Sequence, residues 1–404
     1  MARADQPTPQ QIQLTPDQFL MRTRPKTIAL GSSAYTNGGR TRFELPQVGL
    51  LNMLYLILQV QVVITPGSSG NITAGSFNNF TKTGTPPPWN LIKRLRFGTN
   101  NGTNMVDLSG WGLYMHLRDR LGIDPMNMPT VQNSSDMNTY LGGVTGSDRI
   151  GYGATIATGA GVKTFNFNIA VPIPIAYNQR GEYGLLVLQV NALKYALEID
   201  WADWNATTTG TVAVSNDLVS GLTFSAGGTV ATTCNATLGM HWFEPLEPSL
   251  MGNLMSRFKS LSEMNQALVS GENTIKLPSN DYYTLVTCQL INAGIPLSIA
   301  PGGTGIAGGR VQWSHSGNQV DVSDDPIVRA AHNMWLHGLT PIDGSVTFDW
   351  GMRNGNEKWR DVLDAFNDTQ VTELAIKIPS GVAASGFNTI ITVHESLKPI
   401  RQGI

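Results

Sequence analysis

Charge is scarce in this chain. Asp, Glu, Lys and Arg together make up 14% of it, against roughly 25% in ordinary soluble domains. The 27 basic and 29 acidic residues leave a formal net charge of -2, so no overall field draws the chain onto nucleic acid or an anionic surface. No sequence-specific nucleic-acid binding is expected. Cysteine is equally sparse: Cys234 and Cys288 are too few for a disulfide framework and have no metal-ligand spacing, and both are expected as buried, inert thiols. His116, His241, His315, His332, His337 and His394 include no pair one helical turn apart. A Walker lysine, a His-Glu-x-x-His pair, a Gly-x-Ser-x-Gly elbow and a Cys-x-x-Cys are all missing. We expect no catalytic residue, no metal and no cofactor.

Long apolar runs are missing too. The longest stretch, Val48 to Ile64, is interrupted by Asn52, Gln59 and Gln61 and ends in alternation, so it reads as a long strand rather than a membrane span. The opening MARADQPTPQ has no apolar segment of the secretory kind, and no signal peptide is expected. Gly303-Thr-Gly305-Ile-Ala-Gly308 spells a dinucleotide fingerprint. It is preceded by Pro301 and followed by the strand-like RVQWS, where the fingerprint needs a strand before and a helix after. It reads as a hairpin loop.

Glycine is abundant, 43 residues in 404, and much of it punctuates a duplication. Gly39-Arg-Thr-Arg-Phe-Glu-Leu-Pro46 returns 232 residues later (278 minus 46) as Gly271-Glu-Asn-Thr-Ile-Lys-Leu-Pro278, each followed by an apolar strand. Val106-Asp107-Leu108-Ser109 returns as Val320-Asp321-Val322-Ser323, and His116, Gly122 and Pro125 return as His332, Gly338 and Pro341 (332 minus 116 is 216). Tyr195 to Ile199 pairs with Leu374 to Ile378 at 179 (378 minus 199), and Glu244 to Pro248 with Glu395 to Pro399 at 151 (399 minus 248). The falling offset makes the first copy longer by 81 residues (232 minus 151). About 16 enter between Ile64 and Pro88, about 36 chiefly between Asn127 and Lys163, and about 28 between Asn205 and Cys234. All three are rich in Gly, Ser, Thr and Asn, the composition of surface loops and short hairpins.

Short alternating segments dominate both copies, with Pro and Gly at the spacings of sandwiches and barrels. Helices are few and equivalently placed: SGWGLYMHLRDRLG in the first copy, and IVRAAHNMWLH in the second, begun by Ser323-Asp-Asp-Pro326 and stopped by Gly338. The expected fold class is all-β with a few helices, two tandem antiparallel jelly-roll sandwiches from an internal duplication. The domains read as an arm with a short helix at 1–27 (PDQFLMRT, ended by Pro25), a first roll at 28–248, a linker helix at 249–270, a second roll at 271–399 and a tail at 400–404. The linker rests on Leu250, Met251, Leu254, Met255, Phe258, Leu261, Met264 and Leu268, which recur at helical spacing.

Two chemical readings deserve weighing. Glu198-Ile-Asp200-Trp201-Ala-Asp203 resembles the E-x-D-x-x-E signature of laminarinase-type β-sandwich glycosidases, with Trp201 and Trp204 as sugar platforms; Asp203 departs from it, standing where the acid glutamate belongs. Its repeat partner ELAIKI has Lys377 in place of Glu198, as a half-solvated strand would. The alternative function is thus a carbohydrate-binding or glycoside-hydrolysing protein centred on Glu198, Asp200 and Asp203. Arg22, Arg24 and Lys26 near one end, and Lys398 and Arg401 near the other, form a basic set for anionic lipid headgroups if both ends share a face, worth about 1 kcal/mol per charge.

The paired strand starts RFELP and TIKLP, the long strands after them, and the repeat from Gly39 to Pro399 resemble the double-jelly-roll major capsid proteins of tailless icosahedral DNA viruses, particularly tectivirus-like phages with an internal membrane. The resemblance implies a homotrimer of two rolls per chain, a pseudo-hexagonal capsomer, neighbouring capsomers and vertex or minor capsid proteins as partners, and an internal lipid membrane beneath. It also implies assembly in the host cytoplasm and residence in the virion, with the 127–163 excess as an outer tower and the arm below the shell. Low charge suits a chain covered by its neighbours, because interface centres are depleted in charged residues. A virion spike or receptor-binding protein is the remaining alternative.

Overall fold

A computed structural model describes residues 19–399 apart from 20, 81–84, 122–154, 177–184, 190–192, 247–256, 279–280, 299–304, 307–308, 317–318, 338–341, 351–365 and 368–372. Sixteen strands carry the architecture. The first eight are β1 (Thr23–Ala34), β2 (Arg40–Glu44), β3 (Leu50–Pro66), β4 (Ile92–Thr99), β5 (Asn104–Leu108), β6 (Lys163–Pro174), β7 (Tyr195–Trp201) and β8 (Gly228–Pro245), with helix α1 (Gly110–Leu121) between β5 and β6. The second eight are β9 (Arg257–Gln266), β10 (Gly271–Leu277), β11 (Tyr282–Asn292), β12 (Val311–His315), β13 (Gln319–Asp324), β14 (Ser345–Asp349), β15 (Leu374–Ser380) and β16 (Thr389–Pro399), with helix α2 (Pro326–His337) between β13 and β14.

The two sets pair identically. One sheet of the first roll runs β1-β8-β3-β6, and its counterpart runs β9-β16-β11-β14. The facing sheets run β2-β7-β4-β5 and β10-β15-β12-β13. Each strand of the second roll repeats the place of the strand eight before it, so the duplication holds for the strand order. With β3 and β11 matched at 232, the register sets β8 against β16 at 154 (394 minus 240) rather than at the 151 of the fourth sequence block, because Leu54 pairs with Met240 as Val286 pairs with His394.

Alternation builds each sandwich. Along β8 the even positions from Val230 to Met240 are buried while their neighbours are exposed or intermediate, which puts one face of the sheet in the core. In β3, Leu54, Leu56, Leu58, Val62 and Ile64 are fully buried, and Ile57, Gln59 and Gln61 face out. The three long insertions of the first copy meet in one place: residues 71–77, 159–160 and 219–224 form a separate three-stranded sheet. Most of the 127–163 excess lies outside the described residues.

Two expectations need correction. Residues 257–266 are strand, not linker helix: β9 pairs antiparallel with β16 and parallel with β5. The spacing of three in Phe258, Leu261 and Met264 fits a helical stripe but alternates faces in a strand, where Leu261 enters the first roll's core cluster and Met264 packs on the second. Long-range pairing on both edges overrides the local helical spacing. The rest of the expected helix up to residue 256 lies outside the described residues. The arm, likewise, does not stay outside the first roll to residue 27. Helical geometry ends by Arg22, and β1 begins at Thr23 with Pro25 inside it. β1 is an edge strand, where a missing N–H is tolerated. Phe19 is buried in a small cluster with Leu50, Leu185 and Phe243, its ring edge-on to Phe243 at 5.0 Å.

Candidate functional site

The sequence gives α1 three charges in a row, Arg118, Asp119 and Arg120, after an apolar turn. In the fold this helix is wedged between the two rolls. One side enters the first core through Leu113 and Leu117, and Trp111 and Tyr114 pack on Phe80 and Trp89. The other side lies on the outer face of the second roll's β9-β16-β11-β14 sheet. Leu261, Ile291, Ile391 and Val393 of that face therefore belong to the first roll's core cluster.

This seam is strongly polar. The Glu395 carboxylate is 2% exposed and accepts from His116 Nε2 at 2.8 Å, from Arg120 Nε at 2.9 Å and from Thr284 Oγ1 at 2.7 Å, with Lys259 Nζ at 3.8 Å. A second bond joins Arg120 Nη2 to the same carboxylate. Asp119 accepts from Thr287 and, at 3.0 Å, from Thr347. Trp111 Nε1 donates to Gln289 Oε1 at 2.6 Å, and the Ser109 N–H to Glu263 at 2.7 Å. Gly110 and Gly112 permit the approach: a Cβ on Gly110 would fall 1.8 Å from the Trp89 carbonyl, and one on Gly112 would fall 2.2 Å from Glu263 Oε2. Beside the helix, β9 and β5 join the sheets of the two rolls edge to edge. Buried charges hold only when their partners are fixed, so the seam sets the rolls in one relative placement.

The residues singled out from sequence lie elsewhere. Glu198 and Asp200 sit on the outer face of β7, half-buried in a ladder of arginines from adjacent strands. Asp200 meets Arg40 at 2.6 Å and Arg96 at 2.7 Å, and Glu198 meets Arg42 at 3.1 Å. Arg94 continues the ladder to Asp107 at 2.5 Å and to Glu263 of β9 at 3.8 Å. Asp203 accepts from Asn37 Nδ2 at 2.5 Å. Trp201 and Trp204 are fully buried on the opposite side, Trp201 donating to Thr41 at 2.8 Å. The period of two was read correctly as one face of a strand. The glycosidase reading is nevertheless corrected, because the tryptophans cannot reach a sugar held by those carboxylates. Such pairing of arginine and carboxylate across strands is an ordinary device of sheet stability.

Among the basic residues, Lys26 pairs with Glu244 at 2.6 Å and lies over Trp242, and Lys398 approaches Asp281 at 3.6 Å. Arg22 and Arg24 are exposed, and Arg401 lies outside the described residues. In the Gly303 to Gly308 segment, Gly305 and Ile306 form a bend, and Ile306 is buried in the second core. Burial pushes the thiols of Cys234 and Cys288 up to about 12, which makes both inert nucleophiles. No cluster of metal-binding side chains occurs among the described residues. Sequence reasoning missed the seam itself. Its one signal was the run Arg118-Asp119-Arg120 ending an otherwise apolar helix, which reads as a solvated terminus.

No family model and no curated protein sequence matches the chain. Solved structures do. The STIV major capsid protein is 11% identical with a TM-score of 0.59, over 93% of this chain and 97% of that one. The Faustovirus major capsid protein is 11% identical with a TM-score of 0.52, over 93% and 90%. A capsid model of PBCV-1 gives 9% and 0.50, over 93% of both chains. The fold is the double jelly roll of viral capsid proteins. At such identities the likeness lies in the strand order, and the double jelly roll accounts for nearly the whole length of each partner. The arginine ladder and the seam are thus features of a double jelly roll whose two halves are locked together.

Proposed function

We propose that this chain is a viral major capsid protein whose work is to be built into a shell rather than to catalyse a reaction. One observation carries the reading: two complete rolls, repeating one strand order and fixed to each other by a buried polar seam, fill a length that matches capsid proteins end to end. Three such chains supply six rolls, so a homotrimer forms a pseudo-hexagonal capsomer that tiles an icosahedral shell. Neighbouring capsomers and vertex or minor capsid proteins are its partners, and an internal membrane lies beneath. Assembly takes place in the host cytoplasm. The loop at 127–163 stands as an outer tower. Arg22 and Arg24, with Lys26, Lys398 and Arg401, are the residues to meet lipid headgroups, although Lys26 and Lys398 already hold carboxylates.

Light scattering on the purified chain is expected to give three times the monomer mass, and negative-stain images to show six-lobed particles. A monomer that persists across salt, pH and concentration, with no larger assembly, would sink the reading.

A further inference from the structure

The duplication makes α1 and α2 the same element in two settings. With the offset of 216 that brings His116 onto His332, four of the residues of α1 that meet the second roll, Trp111, Gly112, His116 and Asp119, become Ile327, Val328, His332 and Trp335. All four are exposed, Ile327 by 45%, Val328 by 58% and Trp335 by 83%, and Ala331 and Met334 beside them are exposed as well. On the opposite side, Leu113 and Leu117 of the first core become Arg329 and Asn333, and both are buried. The two helices therefore keep the same rotational phase. What differs is that α2 turns its apolar stripe to solvent and its polar residues inward, with Arg329 held over the Phe348 ring and paired with Asp324. Isolated exposed apolar residues are common; a continuous helical stripe marks an interface.

The surface that α1 covers has an equally definite counterpart. Thr287, which donates to Asp119, and Gln289, which accepts from Trp111, stand on β11, and the offset of 232 carries them to Tyr55 and Ile57 on β3. Ile57 points outward between fully buried Leu56 and Leu58 and is 44% exposed. Its neighbours across the strands are Ala170 and Thr237, and those of Tyr55 are Pro172 and Gly239, so the outer face here is small-residued and largely apolar. Both members of each pair have changed character together. A Trp–Gln hydrogen bond becomes Ile327 with Ile57, and an Asp–Thr bond becomes Trp335 with Tyr55.

A closed ring of six rolls from three chains contains two junctions: roll one to roll two within a chain, and roll two to roll one of the next. From the first of these junctions we infer the second. The apolar stripe of α2 docks on the outer face of β3, β6 and β8 of a second copy, Ile327 against Ile57 and Trp335 against Tyr55, as α1 docks on β11, β14 and β16 within the chain. The inference rests on the trimeric reading and names its contact. The edge charges agree with it: β13 and the start of α2 carry Asp321, Asp324 and Asp325, and the open edge strand β1 carries Arg24 and Lys26.

The test uses the full-length chain. Ile327→Cys combined with Ile57→Cys is expected to give a disulfide-linked ladder up to the trimer on a non-reducing gel. Either substitution alone is expected to give none, the two natural thiols being buried. Ile327→Lys and Ile57→Glu, both at exposed positions, should each shift the monomer–trimer midpoint by roughly tenfold or more in concentration, and the two together should restore it. A wild-type trimer with unchanged midpoints in both variants and no cross-link would overturn this contact while leaving the trimer standing. A wild-type chain that never trimerises would overturn both, and the stripe would then serve another partner.

Discussion

The two helices occupy one place in two copies of one fold and divide polarity in opposite ways. α1 hides Asp119, Arg120 and His116 against Glu395, Thr287 and Thr347 of the second roll. α2 buries Arg329 and Asn333 and shows Ile327, Val328 and Trp335 to solvent. The difference follows from how each helix finds its partner. The partner of α1 is tethered to it, so the desolvation of several charges is met by groups that the fold itself delivers in fixed geometry. A helix whose partner arrives by diffusion gains more from apolar area, which is non-directional and leaves no buried charge unpaired before association. The seam should accordingly be electrostatic in its response to mutation and pH, and the outer stripe should respond to concentration.

The largest effect expected is at the centre of the seam. Glu395→Ala removes the carboxylate that Arg120, Lys259 and His116 share within the fold. Breaking one member of such a buried set costs about 3–5 kcal/mol. On the first roll, Glu244 near the end of β8 sits 40% exposed beside Lys26, and Glu244→Ala should cost no more than about 1 kcal/mol. Urea unfolding of both variants measures the contrast, and equal costs would show that the seam adds nothing beyond a surface pair.

The next effect is an acid sensitivity centred on the second roll. His394, beside Glu395 on β16, is pushed down to about 4, first by burial and then by Lys398. The unfolded chain takes up a proton on this ring below about 6.5, and the folded chain does so only below about 4. The contribution is therefore whole above pH 6.5, declines as pH falls towards 4 and is lost below it. At about 1.4 kcal/mol per unit the window amounts to roughly 3 kcal/mol. By strand register the first roll carries Met240 at this position, since Leu54 pairs with Met240 as Val286 pairs with His394. His394→Phe should flatten the stability curve between pH 6.5 and 4 relative to the wild type, and parallel curves for the two proteins would refute the assignment.

How far the sequence could be read follows the same division between rolls and seam. The duplication was legible because strand starts such as RFELP and TIKLP carry their own turn residues, and because Tyr195 to Ile199 alternates in the same phase as Leu374 to Ile378. The strand Arg257–Gln266 was not legible. Phe258, Leu261 and Met264 fit a helical period, and only β16 and β5, distant in sequence, decide otherwise. The carboxylates Glu198 and Asp200 were rightly placed on one face, but the arginines that occupy them come from β2 and β4, and a local pattern holds no trace of them. The seam was least visible of all. A charged run at a helix end has the same local signature whether water or a second domain receives it.

The smallest effect separates the two helices most cleanly. Gly112 of α1 corresponds to Val328 of α2. An added Cβ at Gly112 meets Glu263 Oε2 at 2.2 Å, so that carboxylate must swing away from the Ser109 N–H and from Arg94. Losing a charged hydrogen bond costs about 1.5–3 kcal/mol, and alanine recovers about 1 kcal/mol in helix propensity. Gly112→Ala should therefore destabilise the chain by about 1 kcal/mol at any protein concentration. Val328→Ala trims a side chain that is 58% exposed, and in dilute solution its effect should stay within about 0.5 kcal/mol. Its cost should appear only as concentration rises and the stripe is covered, because a contact made between copies enters the unfolding equilibrium through mass action. Denaturation midpoints over a hundredfold range of protein concentration distinguish the two behaviours: a concentration-dependent Gly112→Ala, or a Val328→Ala that costs as much in dilute as in concentrated solution, would mean that the two helix faces do not serve the two junctions assigned to them.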